Sequence, residues 1–153
     1  MPLVKETLVN ALKNLVSNVN NFPDSYEQAA VNFSNAINNY GSLVVPPSTT
    51  SELAKQAFVS AFIASKPKQS LEILVDAISA YCISLATGMV PTFVGVPPAT
   101  TPALKSALNI AGQIALNGGS ADDWASAAAT AIDTYFKTGT ATNSSTGATI
   151  TWT

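Results

Sequence analysis

Apolar residues recur at intervals of three and four in six segments of the chain, and this spacing predicts six amphipathic helices. In the first segment, residues 4–19, the apolar positions form one stripe, while lysines and asparagines occupy the opposite side. Asn-Asn-Phe-Pro at 20–23 ends this helix, and Asp24 followed by Glu27 matches the capping signal of the next one. The segment 71–86 is apolar nearly all round, so we expect its helix at the centre of the fold.

Short polar residues and prolines mark the other helix ends. Thr49 or Thr50 is expected to cap the third helix, which must stop before Pro67 because proline cannot continue it. Thr101 is the expected cap of the fifth helix, with the proline that follows it in the first turn. Ser120 is expected to cap the sixth helix, whose first turn carries two aspartates.

A five-residue pattern, Ala-Ile-x-x-Tyr, occurs three times, at 36–40, 77–81 and 131–135. The residue frequencies of the chain give an expected count of about 0.04, so an internal repeat explains the pattern better than chance does. A second pattern, Val-Pro-Pro-x-Thr-Thr-x-x-Leu, occurs at 45–53 and at 96–104. Together the two patterns predict three units, which cover residues 2–40, 46–87 and 97–136.

Each predicted unit contains two helices joined by a turn. The expected fold is therefore all-α, with three helical hairpins and six helices in one repeat domain, 1–137. The connectors between units, 41–49 and 88–101, are long enough to run the length of a hairpin. Such connectors permit either a six-helix bundle or a short stacked array of hairpins, and both remain open at this point.

The last segment, 138–153, is rich in threonine and differs from the rest of the chain. Its pattern predicts strand, turn and strand, with Ala148, Ile150 and Trp152 on one face. We therefore expect a C-terminal β-hairpin or an extended arm. Because an isolated two-stranded hairpin is only marginally stable in water, this segment must dock on something.

Composition excludes several kinds of chemistry. Charged residues make up only 10% of the chain, and all seven cations are lysines, so arginine clamps for phosphate and histidine chemistry are excluded. The net charge of −2 and the scattered lysines argue against a nucleic-acid partner. Cys82 is the only cysteine, which excludes an internal disulfide and a thiolate zinc site. We expect no metal and no cofactor.

Glu72 and Asp76 are the strongest candidates for catalysis, because carboxylates four residues apart share one helix face and can act as an acid–base pair. We favour the other interpretation, that they form the polar stripe of an otherwise buried helix.

The apolar segment that carries Glu72 and Asp76 is shorter than the roughly 20 residues of a membrane span, and the N-terminus lacks the apolar stretch of a secretory signal. We therefore expect no catalytic residues, no membrane partner and no targeting segment.

An apolar segment, 89–96, lengthens the second connector relative to the first. Because loops usually run over the surface, it either folds back over a core or offers Val90, Phe93 and Val94 to a partner. Together with Ile150 and Trp152 of the tail, these three residues are the predicted interface. We expect them to contact protein subunits, either copies of the chain in a homo-oligomer or other proteins of a larger particle.

The low charge leaves the predicted helix exteriors covered by Ser, Thr, Asn and Ala, a surface that repels its own copies weakly. In this composition, and in its terminal arm, the chain resembles small bacteriophage virion proteins of the head, neck or tail. The resemblance implies a non-enzymatic structural protein, made in the host cytoplasm and located in the virion, that assembles with other subunits or decorates the capsid.

A second hypothesis is a helical binding module that holds a peptide or an apolar ligand between its hairpins. It predicts a sizeable apolar cavity in the monomer, lined by residues such as Phe58, Phe62 and Ile63.

Overall fold

A computed structural model describes residues 2–17, 23–66, 68 and 70–153 of the chain. In these residues the chain forms six helices and three short strands. The helices are α1 Lys5–Ser17, α2 Tyr26–Gly41, α3 Ser51–Ala64, α4 Ser70–Thr87, α5 Thr101–Leu116 and α6 Ala121–Phe136. The strands are β1 Phe93–Val96, between α4 and α5, and β2 Thr140–Asn143 and β3 Thr149–Thr151, which follow α6.

The helices pack in a closed ring. Each helix contacts the next one along the chain, and α6 returns to contact α1. This closure decides between the two arrangements that the connectors permitted, because an open stack of hairpins would leave α1 and α6 apart. The predominantly helical fold is therefore confirmed, whereas the internal repeat stays a prediction.

Side-chain hydrogen bonds cap the N-termini of two helices, α2 and α6. Ser120 caps α6 through a reciprocal capping box with Asp123, as its position predicts. The cap of α2 is Ser25, whose hydroxyl oxygen accepts a hydrogen bond from the backbone N–H of Gln28, so the prediction of Asp24 was wrong by one residue.

The predicted breaks between helices are only partly described. Residues 20–22 and Pro67 lie outside the described residues, although α3 ends at Ala64, before the proline. The N-cap of α5 is the residue before the predicted Thr101, and the N-cap of α3 is Thr50, one of the two expected candidates.

The core runs along the inside of the ring. Tyr40, Tyr81 and Tyr135, the tyrosines of the Ala-Ile-x-x-Tyr segments, are all buried there. Helix α4 supplies many of the core residues, but it takes its place in the ring like the other helices. The expectation that α4 lies at the centre was therefore wrong: Ile83 is 53% exposed on its outer side.

The three strands form one antiparallel sheet in the order β1-β2-β3. Two of them come from the predicted hairpin. The third, β1, lies in the apolar connector, where we predicted no strand. Its pairing gives the hairpin the third strand that a small sheet needs for stability.

The C-terminus docks on its own chain. Val45 and Thr153 exchange two backbone hydrogen bonds, of 2.8 and 3.1 Å. The indole of Trp152 is fully buried and packs edge-on against Phe136, the last residue of α6, with 6.4 Å between ring centroids. The tail is therefore a part of the monomer's core and not a free arm.

Candidate protein-interaction surfaces

One face of the sheet is exposed and carries only β-branched residues. The strand register places Val94 opposite Thr142 and Thr142 opposite Thr149. In the next row, it places Val96 opposite Thr140 and Thr140 opposite Thr151. Residues directly opposite one another in antiparallel strands share a face. We call this surface the Val/Thr face, and its members are Val94, Val96, Thr140, Thr142, Thr149 and Thr151.

The other face of the sheet is occupied. A Cβ atom at Gly95 would lie 2.6 Å from the Ala86 carbonyl oxygen and 2.9 Å from Met89 Sδ, so only glycine allows β1 to approach the end of α4 this closely. Ala141, opposite Gly95 in the register, is buried as well. The sheet therefore has one packed face and one free face.

The Val/Thr face contains no charged residue among its six members. Val94 is 54% exposed, and the Thr142 and Thr149 hydroxyls share a hydrogen bond of 2.9 Å across the strands. Hydroxyl groups that bond each other leave the methyl groups of the threonines as the contact surface. The face is thus uncharged, and its two valines and the threonine methyl groups give it apolar contact surface, which is typical of an interface.

The predicted interface residues divide into three groups. Val90 and Val94 are 57% and 54% exposed, and Ile150, on the packed side of the edge strand, is 41% exposed. Phe93 is half-buried against the core. Trp152 is 0% exposed, so its prediction as an interface residue was wrong.

The burial of Trp152 has a physical cause that the alternation pattern does not reveal. Its indole N–H donates a 2.9 Å hydrogen bond to the Thr140 carbonyl, and its backbone N–H donates to the Gly139 carbonyl. With its polar atoms satisfied, the ring can be buried beside Phe136. The pattern of alternating Val-x-Val and Thr-x-Thr could have identified Val96 and the four threonines, which we did not predict.

A second exposed apolar surface lies between α5 and α6. It is an open groove of about 650 Å³, and Ile110 on its α5 side is 65% exposed. We call it the α5–α6 groove. Its α5 wall is formed by Thr100, Ala103, Leu104, Ala107, Ile110 and Ile114, and its α6 wall by Asp123, Ser126, Ala127, Thr130, Ala131, Thr134 and Tyr135.

The groove between α1 and α2 has a different lining. It measures about 400 Å³, and four of its seven lining residues are asparagines: Asn14, Asn32, Asn35 and Asn39. A groove on the outside of a helix pair in this fold can therefore carry a polar lining. The apolar lining of the α5–α6 groove is a property of its own residues and not a requirement of the architecture.

Glu72 and Asp76, the candidate acid–base pair, each form an ion pair with a lysine at the surface. Lys105 Nζ lies 2.6 Å from Glu72, and Lys68 Nζ lies 2.6 Å from Asp76, which also accepts a 3.0 Å hydrogen bond from Ser65. The hydrogen bond from Lys68, aided by Ser65, lowers the pKa of Asp76 below its usual value. This arrangement fits the interpretation of the two carboxylates as a polar stripe.

The most strongly shifted titratable groups lie in the core. Burial and the neighbouring Asp133 raise the pKa of Tyr40 far above its usual value, and burial does the same for Tyr81. Burial also raises the pKa of the Cys82 thiol, which keeps it protonated and unreactive. Each of these groups is fully buried.

A smaller apolar pocket lies at the end of the bundle away from the sheet. It measures about 260 Å³ and includes Phe62, one of the three residues that the binding-module hypothesis names. Phe58 is fully buried and Ile63 is exposed, so neither lines it. The complete lining is Phe33, Phe62, Leu71, Leu74, Leu108 and Trp124.

The described ranges of the chain contain no cluster of three metal-ligating side chains and no helix that could cross a membrane. In comparisons with known proteins, no family model matches the chain, and no curated protein or solved structure is significantly similar to it. Its function therefore has to be inferred from the surfaces described above.

Proposed function

We propose that the chain is a non-enzymatic structural protein that acts through contacts with other protein subunits, and that it is a component of a bacteriophage virion. The observation that carries this proposal is the Val/Thr face. Six β-branched side chains without a charge cover the free side of a sheet whose two outer strands are edges. Exposed apolar patches on soluble proteins are often binding sites, and exposed edge strands can pair with another chain.

The chemistry of the face defines its partner. It offers methyl groups and hydroxyls but no ionised group, so it fits an equally uncharged, apolar protein surface and gains nothing from a charged one. Val90, three residues before β1, is a further exposed apolar side chain. The low overall charge supports the same conclusion, because 10% charged residues and a net charge of −2 allow subunits to crowd together with little repulsion.

Incorporation into particles tests this proposal. We expect mass spectrometry to detect the chain in virions purified from the phage that encodes it. The double variant Val94→Lys, Val96→Lys, supplied in place of the wild type, should be incorporated at least about tenfold less, because each lysine would have to be desolvated at the interface. Val16→Lys, at an exposed position of α1, is the matched control and should be incorporated normally.

Two results would contradict the proposal. One is the absence of the chain from purified virions. The other is normal incorporation of the double variant. Since the two valines are exposed, the variant should unfold at nearly the wild-type urea concentration, and this measurement separates loss of contact from loss of folding.

The second candidate function is the binding module, and the pocket lined by Phe62 and Trp124 favours it. An apolar fluorescent probe such as 1-anilinonaphthalene-8-sulfonate tests it in the variant Trp152→Phe, where Trp124 is the remaining tryptophan. Saturable quenching of Trp124 by the probe would support a ligand site. Quenching that stays linear with probe concentration would contradict it.

The internal repeat is also part of our proposal, and two hydrogen bonds in the core support it. The Tyr81 hydroxyl donates a 2.9 Å hydrogen bond to Asn38 of the first motif, and the Tyr40 hydroxyl donates a 2.7 Å bond to Asp133 of the third. In both cases the tyrosine of one unit meets the third motif residue of another, Asn38 or Asp133. Tyr135, the tyrosine of the third motif, instead donates a 3.1 Å hydrogen bond to the Pro98 carbonyl.

A substitution at one of these positions tests the repeat. If Asn38 and Asp133 are equivalent, Asp133→Asn should retain the Tyr40 hydrogen bond and cost less than about 1 kcal/mol of unfolding free energy. Asp133→Leu, which leaves the Tyr40 hydroxyl without its acceptor, should cost about 1–3 kcal/mol. Equal losses for the two variants in urea denaturation would contradict the equivalence.

A further inference from the structure

We propose that the α5–α6 groove is a self-association surface, which binds the same groove of a second copy of this chain around a two-fold axis. This surface is separate from the Val/Thr face. The inference therefore holds or fails independently of whether the chain belongs to a virion.

The two walls of the groove differ in a way that suits self-association. On α5, the ridge consists of Ile110 and Ile114, at i and i+4 on one side of the helix. On α6, the wall consists of small residues at the same helical spacing: Ser126, Ala127, Thr130, Ala131 and Thr134. Ridges of large side chains pack into grooves lined by small ones, at interaxial distances of about 8–10 Å.

A two-fold interface requires one patch to be complementary to itself. The α5–α6 groove meets this requirement, because each copy carries both the protruding ridge and the receiving wall. The ridge residue Ile110 of one copy can enter the small-residue wall of the other, and the reverse contact forms at the same time. The four helices then enclose the Ile110 side chains of both copies.

The electrostatics of the groove also fit a second copy. Among the lining residues, all of which the structure describes, Asp123 alone carries a charge, and its carboxylate accepts the Ser120 contacts of the capping box. Asp123 lies in the first turn of α6. With the two-fold axis along the groove, so that each α5 ridge faces the α6 wall of the other copy, Asp123 lies at one end of the groove and the rest of the contact contains no charged lining residue.

The size of the surface favours a copy over a single helix of another protein. Two helices of about 24 Å, side by side, offer a footprint of roughly 500 Å² per copy, which gives about 1,000 Å² for the pair. This is near the lower limit for a specific interface, so we expect a dissociation constant in the micromolar range. One docked helix would cover about half of that area.

Sedimentation equilibrium of the full chain tests the inference. We expect a monomer–dimer equilibrium with a dissociation constant of about 1–100 μM. Ile110→Asp should weaken dimerisation at least about 100-fold, because an aspartate there would be buried against an apolar wall. Val16→Asp, at an exposed valine of α1, is the matched control and should leave the equilibrium unchanged.

A second variant guards against a folding defect in the first. Thr130→Arg places a bulky charged side chain on the exposed α6 wall, and it should weaken dimerisation to a similar extent. A wild-type chain that remains monomeric at about 1 mM, well above the expected dissociation constant, would overturn the inference. Dimerisation that is unchanged in both groove variants would also overturn it.

These results are distinct from those that test the proposed function. A monomeric chain that is still found in virions overturns the self-association surface alone. A dimeric chain that is absent from virions overturns the virion assignment alone. The double variant on the Val/Thr face should dimerise as the wild type does.

Discussion

The Tyr40 hydroxyl donates a hydrogen bond of 2.7 Å to Asp133, 93 residues further along the chain. The bond joins α2 to α6 in the core, and Lys137 binds the other carboxylate oxygen of Asp133 at 2.9 Å. The first helix pair is thereby fastened to the last one, on the inside of the ring. Because the bond links two helices that are far apart in the sequence, we expect its loss to lower the free energy of unfolding.

Replacing Tyr40 or Tyr81 by phenylalanine should lower the free energy of unfolding by different amounts. Tyr40→Phe removes a hydrogen bond to a buried charged group, so we expect the unfolding free energy to fall by about 1.5–3 kcal/mol. Tyr81→Phe removes a bond to the neutral, partly exposed Asn38, and its expected cost is about 0.5–1.5 kcal/mol. Urea denaturation of both variants checks the order, and an equal or greater loss for Tyr81→Phe would contradict it.

Alkaline pH should unfold the protein through the same tyrosines. Burial raises the pKa of Tyr40 and Tyr81 far above the ordinary value of 10.0, so above pH 10 the folded chain keeps protons that the unfolded chain releases. The stability from this difference is complete below pH 10 and is lost as the pH rises. Each tyrosine should contribute a slope of about 1.4 kcal/mol per pH unit.

The variants supply the control for this slope. Tyr40→Phe should lower the slope of unfolding free energy above pH 10 by the contribution of one tyrosine, while the stability near pH 7 falls only by the cost of the hydrogen bond. Urea titrations at several pH values measure both quantities. An unchanged slope in Tyr40→Phe would show that another group dominates the alkaline transition.

The helical part of the fold was largely predictable from the sequence, because it depends on local patterns. Six apolar stripes gave six helices, and the Ser120 signal located one cap to the residue. The closure of the ring was not predictable, since connectors of this length allow both arrangements. A contact such as the one between Tyr40 and Asp133 cannot be predicted from the spacing of apolar and polar residues along the chain.

The sheet and the surfaces were less predictable. Strand β1 has four residues, with Pro91 before it and two prolines after it, so its pattern is too short to distinguish it from a loop. Its pairing with β2, over 40 residues away in the sequence, is a tertiary contact. For the same reason Trp152 could not be assigned to the core, because its hydrogen-bond acceptor, the Thr140 carbonyl, becomes available only in the folded sheet.

Removal of the last two residues should destabilise the monomer strongly. A chain that ends at Thr151 loses the buried indole of Trp152 and both backbone hydrogen bonds between Val45 and Thr153. Loss of a buried tryptophan side chain costs about 3–5 kcal/mol. Urea denaturation followed by Trp124 fluorescence measures the effect. A loss below about 1 kcal/mol would mean that the tail is dispensable for folding, as a free arm would be.

Two glycine substitutions should change stability in opposite directions. At Gly139 a Cβ atom would lie 2.5 Å from the Trp152 ring, and the ring cannot retreat because it is packed against Phe136. Gly139→Ala should therefore destabilise the fold by about 1–3 kcal/mol through overpacking. Gly112 lies within α5, where a Cβ atom would meet nothing within 4 Å, so Gly112→Ala should stabilise the fold by about 0.5–1 kcal/mol. An unchanged or raised urea midpoint for Gly139→Ala would contradict the close approach of Trp152 to Gly139, and a lowered midpoint for Gly112→Ala would contradict the open space at Gly112.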